Sequence, residues 1–235
     1  MHALIAGTGG IGTALAARLL EDARFDTIYL LSRSEPISLL EPGRICWIQT
    51  EVTDSESVKS SVDKLGDIDW VINTAAVLHD ENCSPEKSIN HINKDWFLHS
   101  MEVNVLPTLY LAQHLLPKMQ HGRPAVFSAI SARVGSIEDN QLGGWYSYRA
   151  SKAALNMCLK NIANEWRLKL KNVSVAALHP GTTDTELSKP FQKNVPSEKL
   201  FSPARTANYL YNILDSLTPE KSGRFWAWDG NEIEW

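Results

Sequence analysis

The stretch Ala3-Leu4-Ile5-Ala6-Gly7-Thr8-Gly9-Gly10-Ile11-Gly12 decides the fold. Its first four residues are apolar and uncharged, as expected of a buried strand. The run from Ile11 to Leu20 beyond the glycines reads as a helix whose small residues face a sheet. Gly7, Gly9 and Gly12 have the spacing G-x-G-x-x-G, with Thr8, Gly10 and Ile11 completing the loop. Glycine lets backbone approach a pyrophosphate, and the helix start offers unpaired N–H groups at its positive dipole end. A plain structural turn is the alternative for such a glycine run. The strand before it and the helix after it favour a bound dinucleotide.

Outward from this loop, short apolar strands alternate with amphipathic helices, the pattern of βαβ units in a parallel sheet. Strands are expected over residues 27–31, 45–48, 70–73, 124–130, 173–178 and 224–228. Asp54 caps a helix near residues 57–65. A long helix covers 94–119 and is expected to bend or open locally at Pro107. Another long helix carries Tyr148 and Lys152 to about residue 170, and Pro203 starts a further one. The polar stretch 182–202 reads as a mobile lid. The expected fold is α/β and Rossmann-like: a doubly wound parallel sheet of about seven strands, with helices on both faces. Residues 1–235 show no repeat, low-complexity tract or boundary, so one domain is expected.

Composition narrows the function. A net charge of −4 offers no field for nucleic acid or anionic membrane. No apolar run is long enough to span a bilayer, and no basic stretch precedes the first strand, so no secretory signal is expected. Cys46, Cys83 and Cys158 form no C-x-x-C pair, which suits reduced thiols and a cytoplasmic location. The seven histidines form no ligand motif, and no metal is expected.

Tyr148-Arg149-Ala150-Ser151-Lys152 places a phenol and an amine four residues apart on one helix face. A free tyrosine titrates near 10, too high for easy proton exchange at neutrality. A neighbouring ammonium and the positive charge of a bound nicotinamide favour the phenolate, so Tyr148 is expected as general acid or base on a carbonyl oxygen. Tyr146 stacks less cleanly with Lys152 and is taken as a pocket or core aromatic. The second strand ends Ser32-Arg33, where an NAD site usually carries an acid; a guanidinium suits a 2′-phosphate instead. NADP(H) is therefore the preferred cofactor, with NAD(H) possible.

These pieces together resemble the short-chain dehydrogenase/reductase (SDR) family over essentially the whole chain. The resemblance is carried by the glycine loop, Asn73-Thr74-Ala75-Ala76, Asn104, Tyr148-x-x-x-Lys152 and Pro180-Gly181. Residues 144–152 and the ending Trp228-Asp229-Gly230 look like the C-factor-like subgroup. The resemblance implies that Asn104 props a helix kink and supports a water relay to Lys152, which also orients the nicotinamide ribose. It places Glu51 and Val52 at the adenine, and Asn73, Ala75 and Ala76 near the adenosine ribose. Pro180, Gly181, Thr183 and Thr185 fall at the nicotinamide end. It also implies a homodimer or homotetramer.

Two departures stand out. Only two residues separate Gly7 from Gly10 where the family commonly has three. The family's hydroxyl, three residues before Gly135, falls on Ala132. Ser131 is the first candidate to polarise the substrate carbonyl and Ser136 the second. Val134, Trp145 and residues 182–191 are expected to wall the pocket. The expected activity is NADPH-dependent carbonyl reduction. The rival is a C-factor-like signalling or nucleotide-sensing protein with little turnover. A sugar-nucleotide epimerase is disfavoured, because the residues after Gly181 are too few for a substrate domain.

Overall fold

The computed structural model describes residues 1–36 and 43–235. Strand β1 (His2–Ala6) enters the glycine loop, and helix α1 (Gly10–Leu20) leaves it. Next come β2 (Thr27–Ser32), β3 (Ile45–Gln49), α2 (Ser55–Val62) and β4 (Trp70–Asn73). The long helices are α3 (Lys94–Leu115) and α4 (Tyr146–Lys169), with β5 (Ala125–Ile130) between them. The chain then forms β6 (Val173–His179), β7 (Thr182–Thr183), β8 (Leu200–Phe201), α5 (Pro203–Asp215) and β9 (Arg224–Ala227).

Seven parallel strands lie in the order β3-β2-β1-β4-β5-β6-β9. The order reverses beside β1, and such a switch point opens a crevice at the carboxyl ends of the strands. Alternate strand residues feed two apolar layers. Leu4, Val71, Phe127 and Val175 face α2, α3 and α4, while Ile5, Ile72, Val126 and Leu178 face α1 and α5. This is the doubly wound α/β architecture expected from the sequence. None of the described helices is long and apolar enough to cross a membrane.

Boundaries differ in detail. Asp54 does cap α2, accepting from the Ser57 N–H at 2.6 Å, but the helix starts at Ser55, two residues earlier than expected. Pro107 is accommodated inside α3, which stays helical to Leu115 and tightens to a 3-10 turn over Leu116–Met119. The segment 182–202 makes bonds of its own. Its ends, β7 and β8, pair as a parallel ribbon, and Gln192 donates to Asp184 at 3.0 Å and to Ser188 at 2.8 Å.

Candidate active site

The glycine loop is built by close approach. Gly7 has φ +90°, and its N–H donates to the Leu31 carbonyl at 2.8 Å, fastening the loop to the end of β2. A Cβ on Gly12 would lie 2.1 Å from the Gly7 carbonyl oxygen, so α1 can start against the loop only without a side chain there. Gly9, the residue before α1, has open space where a Cβ would be. No side chain caps the helix and no acid occupies its first turn. A cradle of free N–H groups with no competing carboxylate fits a pyrophosphate. Thr13 Oγ1 donates to the Thr8 carbonyl at 3.0 Å and steadies the loop. Ile11 is half-buried behind it.

Beside this cradle, Arg33 projects exposed from the end of β2. The Ser32 hydroxyl donates to the Ser34 carbonyl at 2.8 Å and accepts from Trp47 Nε1 at 3.0 Å. The Glu51 carboxylate turns back on its own loop, accepting from the Thr53 N–H and hydroxyl at 3.1 and 2.8 Å. Val52 packs against the core. Asn73 accepts from the Ala75 N–H at 3.1 Å and donates to Thr108 at 2.8 Å. The Ala75 backbone thereby passes close under Gly7, with half-buried Ala76 following.

Across the crevice, α4 presents Tyr148 and Lys152. Tyr148 is 8% exposed and Lys152 1%. Lys152 Nζ donates to the Ile130 carbonyl at 2.9 Å and lies 5.6 Å from the centre of the Tyr148 ring. Burial acts on both, lowering the Lys152 amine to about 7 and pushing the Tyr148 phenol well above its usual value. The expected lowering of the phenol therefore does not arise in the protein alone. Desolvation disfavours the charged form of each group.

Asn104 is fully buried on α3. Its Oδ1 accepts from the Val77 N–H at 2.7 Å, and its Nδ2 donates to the Val77 carbonyl and to Ser151 Oγ at 3.0 and 2.9 Å. Ser151 in turn donates to the Tyr148 carbonyl at 2.8 Å. Asn104 is thus tied to the backbone of the tyrosine rather than bonded directly to Lys152. Ser131 is buried, with its hydroxyl donating to Asn156 Oδ1 on α4 at 2.6 Å. Ser136 accepts from the Asp139 N–H at 3.1 Å. The position one beyond Ser131 carries only the half-buried methyl of Ala132.

Aromatic rings cover the tyrosine. Trp145 meets Tyr148 edge-on at 6.2 Å and Phe191 at 5.0 Å, and Phe191 meets His79 at 5.6 Å. Val134 is half-buried alongside them. Tyr146, expected in a pocket or core, is instead 36% exposed, because the first residue of α4 points outward. After Pro180, Gly181 takes φ +75° where a Cβ would meet the Phe201 ring at 2.6 Å. The Thr183 hydroxyl pairs with Thr206 of α5 at 2.8 Å, whereas the Thr185 methyl faces Gly10.

Several residues escaped sequence reading. Asn156 and Ser151 lie on the Lys152 and Tyr148 side of α4, so helical spacing carried a signal for both. Gly135 lets the turn after β5 press on Lys152, since a Cβ there would lie 2.7 Å from the lysine Cβ. His179 accepts from the Arg133 N–H at 3.3 Å, and burial lowers its imidazole to about 4. Its ring is neutral near pH 7 and braces the same turn.

This arrangement is that of a dinucleotide oxidoreductase, and comparison with known proteins agrees. A family model described as short chain dehydrogenase matches residues 1–196. The chain belongs to the short-chain dehydrogenase/reductase family and is an oxidoreductase. It is 34% identical over 201 residues to 1-hydroxy-2-glutathionyl-2-methyl-3-butene dehydrogenase of Rhodococcus sp. (strain AD45), covering 83% of this chain and 80% of that protein. It is 32% identical over 133 residues to C-signal of Myxococcus xanthus, covering 57% of this chain and 75% of the relative. Its fold matches an NADPH-bound carbonyl reductase from chicken fatty liver with TM-score 0.85 and 23% identity, over 100% of this chain and 98% of that one. The Sniffer carbonyl reductase of D. melanogaster gives TM-score 0.85 at 20% identity, over 100% and 99%.

Proposed function

We propose that this protein reduces a carbonyl compound to an alcohol using NADPH. The observation that carries the proposal is the burial of Tyr148 on α4, which keeps its phenol protonated. A protonated phenol is a donor for a carbonyl oxygen that gains negative charge as the carbon is reduced. The dinucleotide, when bound, supplies the hydride. Gly7, Gly9, Gly10 and Gly12 would hold its pyrophosphate, and Arg33 a 2′-phosphate. Lys152, near neutrality in its acid–base balance, would return a proton to Tyr148. Asn104, through Val77 and Ser151, would hold that relay in place.

We assign the substrate oxygen to Tyr148 without a serine partner, because the Ser131 hydroxyl is already bonded to Asn156. The same bond favours a second reading, a C-factor-like binder with little turnover. One experiment separates the two: consumption of NADPH and NADH over a panel of ketones, diketones, quinones and aldehydes, with Tyr148→Phe as control. NADPH-dependent turnover that falls at least about 100-fold in the variant supports the reductase. Saturable NADPH binding with no turnover supports the binder. The proposal includes one domain over residues 1–235, a cytoplasmic location, and a dimer or tetramer formed through α3 and α4. Leu98 and Met157 on those helices are exposed.

A further inference from the structure

Glu86 is a buried carboxylate, 4% exposed, in the loop between β4 and α3. Nothing in the proton-transfer scheme uses it. Its Oε2 accepts from the Ser147 N–H at 3.1 Å, and its Oε1 accepts from the Ser147 hydroxyl. Its own backbone carbonyl accepts from the Trp145 N–H at 2.6 Å. One residue thus grips α4 at both sides of its first residue, directly before Tyr148.

The entry to α4 needs such a grip. Gly143, Gly144 and Trp145 have φ of +64°, +66° and +53°, a left-handed run that includes the sole non-glycine at positive φ among the described residues. A bulky side chain disfavours that conformation. Trp145 offers no side-chain cap to the helix it precedes. Glu86 supplies the cap from a distant loop, its side-chain oxygens accepting at the positive end of the helix dipole. The same loop holds Val77, the partner of Asn104, and His79, part of the aromatic cover.

We propose that Glu86 is a positioning residue: it clamps the first turn of α4 and so fixes where the Tyr148 phenol points. This deepens the reductase reading and rests on Tyr148 being the proton donor. With the clamp gone, the helix start relaxes from its left-handed entry and the phenol moves. Cofactor binding at the glycine loop across the crevice stays intact.

The test compares Glu86→Ala and Glu86→Gln with the parent protein by steady-state kinetics, NADPH titration and amide hydrogen exchange over residues 145–150. Glutamine keeps an acceptor for Ser147, whereas alanine removes both. Glu86→Ala should lower kcat about 10- to 100-fold, the range expected for misplacing a catalytic group by about an ångström. NADPH affinity should change by less than about twofold, and exchange over 145–150 should quicken at least about tenfold. Glu86→Gln should recover most of both losses. Unchanged exchange in Glu86→Ala, or quickened exchange with kcat intact, overturns the proposal. If Glu86→Ala does not fold, Ser147→Ala, which deletes only the hydroxyl contact, replaces it with the same expected signs and about threefold effects. Full turnover by Tyr148→Phe defeats the reductase reading separately. The exchange comparison then decides the clamp by itself, upholding it if protection is lost and overturning it if protection remains.

Discussion

Replacing Lys152 with methionine should change how stability depends on pH, and the size follows from burial. The side chain is 1% exposed, with one hydrogen bond from its amine to the Ile130 carbonyl. Burial lowers the amine from 10.5 to about 7. Below pH 7 the amine is protonated in both folded and unfolded chains, and above pH 10.5 it is neutral in both. Between these limits the unfolded chain binds a proton that the folded one does not. Stability then rises with pH by about 1.4 kcal/mol per unit. From about pH 7.5 to about pH 9.5 the dinucleotide-free protein should gain about 2.5 kcal/mol relative to Lys152→Met, which has no amine to titrate. Urea unfolding midpoints for both proteins at several pH values across this window would measure it. A difference that stays constant within about 0.5 kcal/mol would show that the folded protein keeps Lys152 charged, and the relay built on a near-neutral amine would fall.

Other substitutions probe separate parts of the site. Gly12→Ala would force a methyl to 2.1 Å from the Gly7 carbonyl oxygen, so NADPH affinity by fluorescence titration should drop at least about 100-fold. Arg33→Ala should weaken NADPH about 10- to 100-fold while leaving NADH within about threefold; equal losses for both would remove Arg33 from the 2′-phosphate. Ala132→Ser adds a hydroxyl one position past Ser131 and should raise kcat about tenfold, read by cofactor consumption. Ser131→Ala should leave kcat within about threefold but lower stability by about 1–2 kcal/mol, since the Asn156 acceptor is left buried and unpaired. A collapse of turnover without loss of stability would instead return Ser131 to the substrate.

The architecture was legible because its signals are local. The apolar run before Gly7, the Asp54 cap and the helical spacing of Tyr148 and Lys152 are each written within a few residues. The relation of Ser131 to Asn156 was harder to see. Strand alternation says which face Ser131 takes, but not that an amide across the α4 interface claims its hydroxyl. Glu86 had no local signal at all, since its meaning depends on a left-handed turn formed some sixty positions later. The direction of the Tyr148 shift was also hidden, because proximity to a lysine is visible in sequence and the depth of burial is not. Pro107 did not hide the long helix, which runs through it as the apolar pattern over 94–119 implied, with its last turn tightened to 3-10 geometry.

The contact between Thr185 and Gly10 has a kinetic consequence. The threonine methyl comes within 2.6 Å of where a Gly10 side chain would begin, so the base of the lid sits on the rim of the cradle for the pyrophosphate. Whatever enters that cradle must pass or displace the root of the segment covering Tyr148. If both sites fill as proposed, occupancy of one compartment should be sensed in the other. Under the proposed reduction, the dinucleotide should load first, the carbonyl compound should follow, and the alcohol should leave before the spent carrier. Initial-rate patterns would accordingly be those of a compulsory queue.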